Sequence, residues 1–344
     1  MIKPFSASVI QSSVNVVRSR EKKDAVIRAN LKRYTELLDY LAEDPLYCPK
    51  LAVFPEFFLT GVPEAIEGRQ GRRLEDYKMI SIEIPSDHTD ALAAKAVELG
   101  MYIVGNSFES DPTWPGRIFN CSYVLNPNGK IAIKYRKIND FPGRVANTNV
   151  AEIYSEYVKR YGIDSFFPVI DTEIGKLACM TCFDLYFPEI ARILAMRGAE
   201  IIAMPTGEPY SLSYEMEALR RARAIENNVF LLCANHGDTL GGSRPVNQQR
   251  GHSVILDYRG NVLQLIDGPG EAVTSANIDV EALRSFRRTP NGLNLVPQVR
   301  SEFYAKFYER ADLWRNDVFL KNPISAKEDV TKALESVIKR WQTS

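Results

Sequence analysis

Short runs rich in Val, Ile, Tyr and Phe alternate along most of this chain with longer stretches of helical periodicity, and that alternation restricts the fold more than any other feature. The strand candidates are residues 8–14, 51–55, 101–108, 121–126 and 130–135, then 176–182, 200–204, 229–235 and 253–257. β-Branched and aromatic content between turn-forming flanks marks them as strands. Asn128-Gly129 separates two of these runs, and a pair that tolerates positive φ at both positions predicts a hairpin there. Helical patterns cover 21–41, 87–99, 188–197 and 215–227. Gly100 supplies a C-terminal stop for the second and Pro188 suits the first turn of the third. In 215–227 the spacing puts Met216, Leu219, Ala222 and Ile225 on one buried side.

Strands that alternate with helices predict a layered α/β architecture. A hairpin among αβ crossovers makes the sheet mixed, and so many apolar strands predict two mixed sheets packed face to face, flanked by helices. No repeat or low-complexity linker divides the chain, so residues 1–285 read as one domain. Residues 286–344 change character, with Phe303, Tyr304, Phe307, Tyr308 and Trp314 among charges. They read as an extension that needs a surface to pack on, either the domain or a partner subunit.

Lys plus Arg and Asp plus Glu both number 43, so bulk charge offers no attraction to nucleic acid or anionic membrane. The clusters Arg220, Arg221, Arg223 and Arg284, Arg287, Arg288 read as solvated helix faces. No apolar run reaches the roughly 18 residues of a membrane span, and the first residues lack a signal-peptide core. A soluble, cytoplasmic protein is expected. Five cysteines, an odd count in a large chain, point to reduced thiols over a disulfide framework.

Three segments could carry chemistry. In Leu51-Ala-Val-Phe-Pro-Glu56 a buried-type strand runs into a carboxylate, and Pro55 ends the ladder so that Glu56 projects at the strand's carboxyl end. Taken alone, Glu56 is equally a solvated loop glutamate. In the run from Lys130 to Lys137, alternation carries a strand to Lys137, which by itself also fits a charged edge strand. In the run from Lys176 to Arg192, a strand ends near Cys182 and a helix opens near Pro188. A thiol at such an elbow, near helix amides and a lysine, has its pKa lowered; the competing reading is a buried structural cysteine, as for Cys121 and Cys233. Cys179 and Cys182 also form a C-x-x-C. Both fall on a predicted strand, no second pair exists, and the three histidines lack ligand spacing, so redox or metal use is disfavoured.

Together these segments resemble the nitrilase (carbon–nitrogen hydrolase) superfamily. The matches are Phe54-Pro55-Glu56, Tyr135-Arg136-Lys137 and Cys182-Phe183-Asp184 with Phe187-Pro188-Glu189, followed by Ala222 to Asn227, Ala234-Asn235 and Gly251-His252-Ser253. The resemblance covers about residues 5–280. It implies a four-layer αββα sandwich, homodimers or larger homo-oligomers, and no metal or organic cofactor. It implies Glu56 as proton-transfer base, Cys182 as nucleophile, and Lys137 with the Phe183 backbone N–H as oxyanion donors. Many members have a second glutamate between lysine and cysteine; Glu156, ahead of Lys159-Arg160-Tyr161, fits better than Glu152.

Two departures bear on substrate. Asn139 stands where members often have histidine. Phe183-Asp184-Leu185-Tyr186 lacks the arginines that hold a carboxylate in carbamoylases acting on amino acids, unless Arg144 or another arginine substitutes. Leu185, Tyr186 and Tyr210 would make an apolar-aromatic pocket wall, with Asn139 also lining it. The resemblance therefore implies hydrolysis of a small linear amide or N-carbamoyl compound through a thioester, with ammonia released. The alternatives are a nitrilase acting on a nitrile, a catalytically silent scaffold, and a redox protein using Cys179 and Cys182.

Overall fold

A computed structural model describes residues 1–45, 47–63, 65–66, 69–70, 73–142, 146–208, 213–241 and 251–343. Twelve strands form two six-stranded sheets. They are β1 (Phe5–Gln11), β2 (Leu51–Val53), β3 (Tyr102–Ser110), β4 (Ile118–Leu125), β5 (Ile131–Arg136), β6 (Val169–Thr172), β7 (Gly175–Cys179), β8 (Ile201–Pro205), β9 (Phe230–Ala234), β10 (Ser253–Leu256), β11 (Val262–Ile266) and β12 (Ala272–Ile278). The first sheet runs β12-β1-β2-β3-β4-β5 and the second β11-β10-β9-β8-β7-β6. In each, three central strands are parallel and the outer pairings antiparallel: β1, β2 and β3 in the first, β7, β8 and β9 in the second. Strands β2, β8 and β9 are buried throughout and read as unbroken apolar runs, because both of their faces are covered.

The helices are α1 (Lys23–Glu43), α2 (Leu74–Ile80), α3 (Asp87–Leu99), α4 (Tyr154–Tyr161), α5 (Pro188–Met196), α6 (Ser213–Asn227), α7 (Val280–Arg288), α8 (Ser301–Tyr308) and α9 (Lys327–Thr343). Between the sheets, Val9, Val53 and Val104 meet Leu177, Ile201 and Leu232. On the outer face of the first sheet, Leu31 and Leu38 of α1 and Leu92 of α3 close a second core. On the outer face of the second, Ile190 and Leu194 of α5 pack with Met216 and Ala224 of α6. The order of layers is helix, sheet, sheet, helix. This is the two-sheet sandwich expected from the alternation, and α3 ends at Gly100 with φ +58°, as its glycine predicted.

Two features depart from expectation. Strands β6, β11 and β12 and five of these helices lie outside the predicted elements. On α6 the buried stripe holds Met216, Arg220, Arg223, Ala224 and Asn227, while Ile225 is exposed. Arg220 and Arg223 are thus interior groups and not a solvated face. Arg223 donates to the Leu185 carbonyl at 3.0 Å and pairs with Glu226 at 2.9 Å, which meets the cost of its burial. Beyond α7 the chain turns back onto the first sheet. Leu74 N–H donates to the Ser325 carbonyl, Arg117 holds the carbonyls of Phe319 and Leu320, and Ile324 and Val330 enter the outer core. All eight residues of α8 are exposed, among them Phe303, Tyr304, Phe307 and Tyr308. No described helix is long and apolar enough to cross a membrane.

Candidate active site

Glu56, Lys137 and Cys182 all leave their strands at the same end of the sandwich. Glu56 follows β2, Lys137 follows β5 and Cys182 follows β7, where the parallel strands of both sheets finish. Glu56 N–H donates to the Thr206 carbonyl at 3.2 Å, so one hydrogen bond ties the two sheets together beside the carboxylate. Ser122 of β4 and Thr181 join hydroxyl to hydroxyl at 2.7 Å and do the same beside the cysteine.

The Glu56 carboxylate is buried and ordered by donors. Its Oε1 accepts from Lys137 Nζ at 2.9 Å and from Asn120 Nδ2 at 2.7 Å. Asn120 in turn accepts from Asn106 Nδ2 at 2.8 Å, and Asn106 Oδ1 receives the Phe57 N–H at 3.0 Å. Each polar group in this chain of amides fixes the next, which low polarity around it strengthens. Lys137 N–H donates to the Asn120 carbonyl at 2.8 Å, and its Nζ also meets Asp140 Oδ1 at 3.1 Å. Burial opposes charge on Lys137. Glu56 and Asp140 overcome it and hold the ammonium well above the ordinary lysine range. Although β5 is an edge strand, Lys137 is thus no solvated edge charge.

Cys182 opens a single 3-10 turn, Cys182–Tyr186, with φ +45°, a left-handed conformation that lifts its side chain out of the strand line. Cys179 ends β7 and is fully buried in the core between the sheets, so the two cysteines do not share a strand. All five cysteines are free, and Cys121, Cys179 and Cys233 are buried. The sequence pointed to a lowered pKa for Cys182; the structure gives the opposite direction. Burial and then the Glu56 charge raise it, with Lys137 and the Gly207 N–H working against them. The thiol therefore keeps its proton at rest. Gly207 lets the chain pass close to the base: a Cβ at that position would lie 3.1 Å from Glu56 Oε2 and press on the carboxylate.

The remaining expected residues divide. Phe183 packs at a tilt against Phe141 and Tyr186, at centroid distances of 5.0 and 4.9 Å, forming an aromatic wall beside Cys182. Leu185 is not part of that wall; it is buried in the core beneath α5 and α6. Asn139 is held by its N–H on Asp184 Oδ1 at 3.0 Å. Asp184 also accepts the Tyr135 hydroxyl at 2.7 Å, and burial raises its pKa to about 7. Glu156 is half-buried on α4 and pairs with Arg160 at 3.0 Å, not with Lys137 or Cys182. Glu152, the other candidate, is buried, and burial lifts it to about 8, with Asp140 among its charged neighbours. A break in the backbone at Ile153, φ −132° and ψ 31°, separates them: Glu152 belongs to the 3-10 turn Val150–Ile153 and Glu156 to α4. Tyr210 and Arg144 lie outside the described residues.

Sequence reasoning passed over Asn106, Asn120, Asp140, Gly207 and Glu208, and placed Arg220 on a solvated face. Two of them carried a signal, since asparagine is depleted inside strands and both Asn106 and Asn120 sit there.

The model of the carbon-nitrogen hydrolase family matches residues 28–288. The chain belongs to the carbon–nitrogen hydrolase family. Within that nitrilase superfamily, the hydrolase is 30% identical to omega-amidase NIT2-A of Xenopus laevis over 82% of its own length and 91% of the relative's. It is 29% identical to omega-amidase NIT3 of Saccharomyces cerevisiae, over 80% and 89% of the two chains. Among solved structures, yeast Nit3 superposes with a TM-score of 0.65 at 24% identity, covering 84% of this chain and 96% of that one. An amidase from Nesterenkonia sp. gives 0.65 at 19% identity, with 88% and 96% covered, and the hydrolase thus shares their fold.

Proposed function

We propose that this hydrolase cleaves the C–N bond of a small linear amide through a thioester on Cys182. Glu56 takes the thiol proton as Sγ bonds to the carbonyl carbon. The Lys137 ammonium and the Phe183 N–H stabilise the resulting oxyanion. Glu56 passes its proton to the leaving nitrogen, the C–N bond breaks and ammonia departs. Water then attacks the thioester, gives a proton to Glu56, and the acid leaves as the C–S bond breaks and the thiol regains its proton.

The observation that supports this most is the buried Glu56–Lys137 pair at 2.9 Å beside a neutral thiol on a strained elbow. A neutral nucleophile needs a base in reach, and Glu56 is one of the two carboxylates whose charge it feels. The second acid of the site is then Asp140, which touches Lys137, with buried Glu152 behind it, and not Glu156. Amide over nitrile is supported by the omega-amidase and amidase names of the relatives. A Nesterenkonia sp. amidase variant also carries the acetamide moiety of fluoroacetamide on its active-site cysteine. Neither a metal nor an organic cofactor has a step in this chemistry.

Ammonia release from a panel of amides, carbamoyl compounds and nitriles tests the reading. Amides should lead, and Cys182→Ala and Glu56→Gln should each lose at least about 10³-fold in kcat/KM. A retained rate in Cys182→Ala, or nitriles leading, overturns it.

We also take residues 1–285 as the hydrolase domain and 286–344 as an extension, in a cytoplasmic homo-oligomer. The aromatic side chains exposed on α8 support pairing. Sedimentation at one-chain mass throughout the micromolar range would rule it out.

A further inference from the structure

Next to the reacting groups lies a carboxylate with no part in the mechanism above. Glu208 follows Gly207 past the end of β8 and is buried. Its Oε2 accepts from Arg220 Nη2, and its backbone carbonyl accepts from Asn235 Nδ2 at 3.1 Å. Arg220 is fixed from its other nitrogen, with Nη1 on the His252 carbonyl at 2.7 Å. One side of the carboxylate is therefore held rigidly. The other oxygen, Oε1, is buried and meets no donor at good hydrogen-bond geometry among the described residues; the Thr206 hydroxyl is the nearest donor to this carboxylate and works to lower its pKa against the effect of burial. A buried acceptor without a donor costs on the order of 1–3 kcal/mol, so such groups are rare unless something visits them.

The position of Glu208 says what could visit. The residue before it lends its N–H to the Cys182 sulfur, and Cys182, Glu56 and Tyr186 all lie close enough to feel the Glu208 charge. Glu208 thus stands one residue from the N–H that meets the Cys182 sulfur and two from the hydroxyl of Thr206, on the side of the site where an acyl group bonded to that sulfur would extend. Arg220 already balances the Glu208 charge, so a neutral donor is sufficient. An acyl group ending in a carboxylate would instead set its oxygens against Oε1 and Glu56. Of the nearby cations, Lys137 is engaged by Glu56 and Asp140 and Arg220 by Glu208.

We propose that Glu208 Oε1 is a substrate-recognition group: it accepts a hydrogen bond from a hydroxyl or amino group on the acyl portion of the amide, and it disfavours acyl portions that end in a carboxylate. This rests on the amidase reading and adds the substrate class to it.

Four amides test it on the wild-type protein: propionamide, lactamide, alaninamide and succinamic acid. Lactamide and alaninamide should exceed propionamide by at least about tenfold in kcat/KM, because a site built around an acceptor penalises an analogue without the donor. Succinamic acid should be the poorest. In Glu208→Gln the ratio of lactamide to propionamide should fall several-fold and the handicap of succinamic acid should shrink. Equal rates for lactamide and propionamide in the wild type overturn the proposal. So does an unchanged ratio in Glu208→Gln that remains folded by circular dichroism. Binding of the same four compounds to Cys182→Ala, followed by ligand NMR, separates this from the fate of the amidase reading. If no amide is turned over, that reading fails, while tighter binding of the donor-bearing compounds still supports Glu208 and equal binding overturns it.

Discussion

Glu56, just beyond β2, and Glu152, in the 3-10 turn Val150–Ile153, are both buried glutamates, yet their surroundings differ. Glu56 faces an ammonium and a side-chain amide, from Lys137 and Asn120. Among the described residues, Glu152 accepts from the backbone N–H and the Nδ2 of Asn149, at 3.1 and 3.2 Å, and burial lifts its pKa to about 8. Burial alone disfavours a charged carboxyl, and donors beside it work the other way. At the same depth, one region surrounds its glutamate with a cation and ordered amides, and the other leaves burial to raise the pKa.

The contrast is broken most strongly by removing an amide from the Glu56 side. Asn120→Leu takes one of the two donors from Glu56 Oε1 and leaves Asn106 Nδ2 with Ser122 Oγ as its remaining partner at 3.0 Å. A hydrogen bond to a charged group contributes roughly 1.5–3 kcal/mol, so kcat/KM on the best amide should fall about 10- to 100-fold. Steady-state kinetics reads this, beside a thermal melt to confirm folding. A change of less than twofold would mean that the amide chain plays no part in holding the base.

Much of this contrast was invisible in the sequence. The strand–helix alternation gave the sandwich, and Pro55 and the proline-led α5 located Glu56 and the cysteine elbow. Those are local signals, carried by residue type and spacing. What escaped depends on which groups the fold brings together. Arg220 and Arg223 look like a solvated face in a helical projection, because a projection cannot show a carboxylate or carbonyl waiting inside. Cys182 was expected to be acidified by helix amides, whereas burial and Glu56 decide its direction. Strand β11 escaped since its side chains are largely exposed, and β12 since Thr274, Ser275 and Asn277 dilute its apolar content. The choice of Glu156 over Glu152 turned on a nearby basic-aromatic motif, and motif proximity does not report which carboxylate the fold buries.

Glu152 allows the contrast to be sharpened without touching the reacting groups. Burial raises its folded pKa to about 8, above the ordinary glutamate value of 4.5. A raised carboxyl pKa means that the folded state binds the proton more tightly than the unfolded one. Its contribution to stability is complete below the unfolded value and is lost as pH climbs through the interval from about 4.5 to 8. Within that window each pH unit should remove up to about 1.4 kcal/mol from this group alone. Glu152→Gln keeps the shape and an oxygen to accept from Asn149, and it cannot ionise. Urea unfolding at several pH values between 5 and 8 should therefore show wild-type stability falling more steeply with pH than that of Glu152→Gln, the two diverging toward the alkaline end. Parallel curves would mean that Glu152 is ionised in the folded protein, which would place a second charged carboxylate beside Asp140 and remove the distinction between the two glutamates.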